Sequence, residues 1–152
     1  MQLANFDHIK IQNRNHAIAK LETGDLVKVK ADILPIIYHY GIVEKQGDKL
    51  FIYHNQPDKI NSKGGNLICE PFENFIAGKD ILEVKKTQLD STDLHKMYQA
   101  LSGLKYHFVG FNCEHYINFV TDRKPISNQV YRWTAILIIG FVVYYLIKNK
   151  KI

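Results

Sequence analysis

The stretch FVGFNCEHYINFV, Phe108 to Val120, holds one of the two cysteines in a chain of 152 residues. Cys113 lies between Asn112 and the pair Glu114 and His115, where a polar residue ahead of apolar positions marks a helix start. A thiol in the first turn of a helix meets unpaired backbone N–H groups and the positive end of the helix dipole, and both favour the nucleophilic thiolate. A lone cysteine also has a plainer reading as a small buried hydrophobe. The choice turns on whether a base can reach it.

The chain has seven histidines, and two of them are placed by a single hairpin. YHYGIVEKQGDKLFIYHN, Tyr38 to Asn55, contains two β-rich runs separated by KQGD. With the turn centred between Gln46 and Gly47, Lys45 pairs with Asp48, Val43 with Leu50, Gly41 with Ile52, and His39 with His54. Directly opposed residues project to the same face with Cβ atoms roughly 4.5–5.5 Å apart. One imidazole then takes a proton from a thiol while the other orients it, and Gly41 leaves room beside them for a helix or an acyl group. A thiol, a base and an orienting partner make an acyl-transfer site, with backbone N–H groups at the helix start available to an oxyanion. The bland alternative is two histidines satisfied in or on a sheet. A zinc site from Cys113, His115, His107 and Cys69 is also conceivable, although no CxxC or HxxxH spacing supports it.

These residues need elements to hold them. GDLVKVK, Gly24 to Lys30, alternates as a strand, and the polar stretch from Asn55 to Asn66 with Pro57, Gly64 and Gly65 reads as a loop. LICEPFENFIAGKDILEV predicts strand, short helix, strand, with Pro71 at the first helical position, Phe72, Phe75 and Ile76 on one face, and Gly78 closing the helix. From Ser91, STDLHKMYQALSG predicts a helix presenting Leu94, Met97, Tyr98 and Leu101, ended at Gly103. The last such helix begins at Cys113 with Asn112 as N-cap, and Cys113, Ile117 and Val120 share its inward face. The fold class is α+β, an antiparallel sheet packed against helices, followed by a C-terminal hydrophobic helix.

That final segment, WTAILIIGFVVYYLI from Trp133 to Ile147, carries no charge. At about 1.5 Å per residue it reaches roughly 22 Å, short but adequate for a thin bilayer once Val130 to Arg132 are added. Tyr131, Trp133, Tyr144 and Tyr145 near its ends, flanked by Arg132 and Lys148 to Lys151, suit the two interfaces of a membrane. A buried core helix is the alternative. The first twenty residues contain no apolar stretch of signal-peptide length, so the domain is expected to face the cytoplasm, C-terminally anchored in a membrane, with Cys69 and Cys113 as free thiols rather than a disulfide. Net charge is +5, with the lysines scattered and a basic cluster toward the C-terminus, which fits anionic lipid headgroups better than nucleic acid. The expected organisation is an N-terminal extension over residues 1–20, a catalytic domain over 21–130, a transmembrane anchor over 131–148 and a basic tail over 149–152. No cofactor is implied, and the oligomeric state is not read from the sequence.

HYGIV with His39, YHN with His54, and NCEHY with Cys113 together resemble the lecithin:retinol acyltransferase-like family, whose marks are an H-box and an NCEHF-type motif. The resemblance runs from about Leu21 to Val130 and includes GDLVKV, PFENFIAG and the order His, His, Cys. It implies a circularly permuted form of the NlpC/P60-like, papain-like thiol hydrolase fold, with Cys113 as nucleophile, His39 as general base and His54 as the orienting third member. It further implies a phospholipase or acyltransferase that takes an acyl group from a membrane glycerophospholipid as a cysteine thioester. Tyr40 stands where the family's usual aromatic follows the first histidine, and the hairpin is a few residues longer than in the animal members. Some picornaviral 2A proteins share the motifs without an established catalytic role, so two rivals stand beside this reading: a cysteine peptidase or amidase, and a non-catalytic membrane adaptor.

Overall fold

The computed structural model describes residues 14–31 and 37–149. In chain order its elements are α1 (Arg14–Ala19), β1 (Leu26–Lys30), β2 (Tyr38–Gln46), β3 (Lys49–Asn55), β4 (Leu67–Pro71), α2 (Phe72–Ile76), β5 (Ile81–Lys85), α3 (Ser91–Leu101), α4 (Cys113–Asp122) and α5 (Asn128–Asn149). The five strands form one sheet in the order β4-β3-β2-β1-β5, antiparallel throughout. The molecule is α+β, as the alternation of two-residue and helical periods predicts. Of the N-terminal extension, residues 1–13 lie outside the described residues; the rest includes α1, which places Ala17 in the core.

The strands bury both faces, because successive side chains point to opposite sides. Val27, Val29, Val43 and Ile52 face one layer with Phe72, Phe75 and Ile76 of α2. Leu26, Ile42 and Tyr53, one residue out of phase, face Leu94 of α3 and Tyr116, Ile117 and Val120 of α4. Each large apolar side chain so buried contributes about 1.5–3 kcal/mol, and the second layer fixes α4 over β2 and β3.

The hairpin differs from the expected register by two residues. Gln46 pairs with Lys49, Lys45 with Leu50, Val43 with Ile52 and Ile42 with Tyr53. The turn is therefore Gly47 and Asp48, with Gly47 at φ +60°. A two-residue hairpin turn with glycine first needs that positive φ, and centring it on Gln46 would have forced the strain onto a residue with a Cβ. A shift of two keeps every side chain on its face, so His39 and His54 remain on one side but become diagonal neighbours. The space over Gly41 is not free for an acyl group: a Cβ there would lie 2.6 Å from Cγ1 of Ile52.

Two further boundaries are informative. Pro71 ends β4 opposite Phe51 instead of opening α2, its ψ of 136° being extended. Cys113 does open α4: the Asn112 side chain accepts from the N–H groups of Glu114 and His115 at 2.9 and 3.0 Å, and the His115 ring accepts from the Asn112 N–H at 3.3 Å. This is a reciprocal capping box with histidine in the place of the usual Glu or Gln. None of α5 is buried, so it is not a core helix, and its 22 residues are long and apolar enough to cross a membrane.

Candidate active site

The shared face of β2, β3 and β4 carries a line of three polar side chains. His39 Nε2 lies 2.8 Å from His54 Nδ1, and His54 Nε2 lies 2.8 Å from Glu70 Oε1. The other Glu70 oxygen accepts from Lys59 Nζ at 2.5 Å. Phe75 of α2 packs on both imidazoles, with ring centroids 5.1 and 5.0 Å away. His54 is 0 % exposed, so no water competes for its ring nitrogens.

Protonation follows from this chain of contacts. The hydrogen bond from His54, with Lys59 beyond it, holds the Glu70 carboxyl down at about 2, so it is ionised and can only accept. His54 Nε2 must then carry a proton and donate it to Glu70. Burial lowers His54 against the opposing pull of Glu70, and lowers His39 to about 3 with His54 adding to the effect, so both rings are neutral. A neutral His54 protonated at Nε2 accepts at Nδ1, from His39 Nε2–H. The nitrogen left without a proton is Nδ1 of His39, the atom a general base requires.

Cys113 is 5 % exposed at the start of α4, and its thiol donates to the Tyr38 carbonyl at 3.7 Å. Burial pushes the thiol up to about 12, with the Glu114 carboxylate adding to this and backbone hydrogen bonds opposing it. The bias toward thiolate expected from a helix N-terminus is thus outweighed, and the resting group is a neutral thiol. Among the described residues no hydrogen bond joins it to either imidazole. Cys113 and His39 nevertheless line one cavity of about 670 Å³, together with Phe75, Lys79, Tyr106, Phe108, Gln129 and Trp133. The three residues singled out from the sequence are therefore gathered as His39 and Cys113 on the cavity and His54 behind His39.

A second polar cluster ties the thiol's surroundings to α5. Glu114 Oε2 accepts from Ser127 Oγ at 2.6 Å and from the Gln129 N–H at 2.9 Å. The Gln129 side chain accepts from the Tyr38 N–H at 2.8 Å and donates to the Tyr38 carbonyl at 3.2 Å, bracketing the peptide that receives the thiol. Ser127 caps α5 by accepting from the Val130 N–H at 3.2 Å, and Asn112 Nδ2 donates to Ser127 Oγ at 3.3 Å. The starts of β2, α4 and α5 are thereby joined.

Glu70 and Gln129 escaped the sequence reading. For Glu70 the available signal was alternation within LICEP, which puts it on the face of Ile68 and away from Cys69. Cys69 is exposed, pairs with Tyr53 on the opposite face and is a free thiol, as is Cys113. The other proposed zinc ligands are apart in role: His107 accepts from the Gly110 N–H and His115 caps α4. Among the described residues no group of three or more His, Cys, Asp or Glu is disposed to hold a metal ion. No protein family, characterised protein or solved structure matches the chain.

Proposed function

We propose that this protein is a membrane-anchored thiol phospholipase or acyltransferase of the lecithin:retinol acyltransferase-like kind, built on a permuted NlpC/P60-like fold. The observation that carries the proposal is the line Glu70, His54, His39, whose far member lines the same cavity as Cys113 and has Nδ1 as the ring nitrogen not used in the line. An ester carbonyl bound there is attacked by Sγ as the thiol proton passes to His39 Nδ1. Burial penalises each charge alone, so the thiolate and imidazolium arise together and offset one another. The Asn112 side chain takes the Glu114 and His115 N–H groups, so the oxyanion falls to the backbone N–H of Cys113 itself. His39 returns its proton to the departing lysophospholipid alkoxide, leaving a thioester on Cys113. Water, or an amine or alcohol deprotonated by the same nitrogen, then takes the acyl group.

The apolar α5 supports a lipid substrate over a peptide one, since a peptidase gains little from an anchor, and it would hold the domain at the cytoplasmic face. The adaptor reading is favoured by one feature, the thiol's hydrogen bond to Tyr38 in place of a histidine. Incubation of the full chain with a defined phospholipid, followed by intact mass measurement, separates the two. Acylation predicts a gain of one acyl chain that disappears in Cys113→Ala and persists in Cys69→Ala. Equal turnover by Cys113→Ala and wild type would overturn the mechanism.

A further inference from the structure

Outside α5, the exposed large apolar side chains among the described residues are Ile60, Leu104, Phe108, Val109 and Ile126. Four of these five lie in the segments that lead into α4 and α5. Their exposures are 44 % for Leu104, 48 % for Phe108, 58 % for Val109 and 40 % for Ile126. Neighbours in sequence on each side are separated by an entire helix, yet one side chain ties the segments together: Asn112 Nδ2 donates both to the Phe108 carbonyl at 2.8 Å and to Ser127 Oγ at 3.3 Å. Phe108 also lines the cavity alongside Trp133 of the second turn of α5. The rim thus meets the helix at two points: Phe108 shares the cavity with Trp133, and Ile126 stands two residues before the first residue of α5.

We infer that this rim is a lipid-docking surface that rests in the leaflet around α5, so that the cavity holding Cys113 opens among acyl chains and not into bulk water. The inference rests on the proposed anchoring by α5. The occupant is a bilayer and not a protein because the rim leads into a helix with no buried residue, and because exposed Lys105, Lys124 and Arg132 stand within two residues of Leu104, Ile126 and Trp133 in the sequence. An apolar surface edged with lysine and arginine matches an anionic membrane interface, where apolar groups enter the acyl region and cations meet headgroups. A substrate chain then reaches the thiol by sliding between Phe108 and Trp133 without leaving the leaflet.

Fluorescence quenching tests this without reference to catalysis, because Trp133 is the chain's single tryptophan. The full chain is reconstituted in vesicles of zwitterionic and anionic phospholipid brominated either near the carbonyl end or near the methyl end of the acyl chain. Wild-type Trp133 reports insertion of α5. The double variant Trp133→Phe, Val109→Trp reports the rim, and is expected to lose most of its emission to bromine near the carbonyl end and little to bromine near the methyl end. Leu104→Asp, Val109→Asp, folded by circular dichroism, is expected to acylate Cys113 normally with detergent-dispersed lipid but about tenfold more slowly on vesicles, where proximity no longer operates. If Trp133 is quenched while the rim tryptophan is quenched by neither lipid, the rim proposal falls and the anchor stands. If both escape quenching, the anchoring reading falls and takes the rim with it. A rim tryptophan shielded from lipid bromine and from an aqueous quencher alike is covered by protein, which also overturns the proposal.

Discussion

Under the proposed mechanism, Glu70 sets the proton order of the site at one remove from the chemistry. Its carboxylate fixes the His54 tautomer, which fixes that of His39, so loss of the charge degrades the base without touching it. Turnover should fall in the order His39→Ala, His54→Ala, Glu70→Gln, from the base to the residue that orients it to the residue that orients the orienter. Loss of a general base costs roughly 10²–10⁴-fold, so wild-type turnover by His39→Ala contradicts the assignment, and a larger defect in His54→Ala reverses the two histidine roles. The same groups govern acid stability. His39 and His54 are held below their ordinary 6.5, so folding favours their neutral forms and loses that contribution as pH falls below about 6.5 toward the folded value of about 3 for His39. Glu70, held at about 2 against an ordinary 4.5, stabilises the fold above about pH 4.5 and ceases to as pH falls toward 2. Urea midpoints measured against pH should therefore decline in two overlapping stages, the first shallower in His39→Gln and the second shallower in Glu70→Gln. A profile in both variants identical to wild type removes these groups from the account.

Elements whose causes are local were legible in the sequence, and those set by distant contacts were not. The start of α4 at Cys113 follows from Asn112, whose side chain caps the adjacent amides, and the strands follow from alternation. The hairpin was legible but its register was not, because the turn position is set by the positive φ that Gly47 takes easily and Gln46 does not. A shift of two preserved the face and therefore the histidine pair. Glu70 was hidden because β3 and β4 are joined by the long polar stretch from Gln56 to Asn66, with no tight turn to set their pairing. The neutral state of Cys113 was hidden too, since the dipole of its own helix is local whereas its burial depends on what lies across β2. Gln129 lies 91 positions from Tyr38, beyond any periodicity. Its bracket around the Tyr38 peptide makes the first turn of α5 a positioning element for the start of β2. Gln129→Ala should reduce kcat by about tenfold with little change in KM, because misplacing reacting groups by about 1 Å is costly while the apolar cavity still binds. Iodoacetamide should alkylate Cys113 faster in that variant, its thiol released from a fixed carbonyl and opened to water. A change confined to KM instead makes Gln129 a cavity wall alone.

At the scale of the molecule, α5 has two parts with different obligations. Ser127 and Gln129 satisfy the buried carboxylate of Glu114 and Trp133 lines the cavity, whereas the helix beyond Trp133 is exposed throughout its described length. Two truncations separate these parts. Removing Arg132 to Ile152 keeps the Glu114 partners and should give a folded, soluble domain that still acylates Cys113 with detergent-dispersed lipid. Removing Ser127 onward leaves a buried carboxylate without its hydroxyl and amide donors, a loss of about 1–3 kcal/mol or more for a charged group, and should lower the thermal midpoint of the domain relative to the first truncation. On intact vesicles the first truncation should lose most activity, because effective substrate concentration falls with the anchor and Trp133 leaves the cavity wall. Fusing an unrelated membrane anchor after position 131 distinguishes those two causes. Full recovery assigns α5 to tethering alone, while partial recovery that becomes complete only when Trp133 is restored shows that the anchor also forms part of the passage through which lipid reaches the thiol. Unfolding of the first truncation contradicts the division of α5 altogether, since it requires the exposed helix to support the domain.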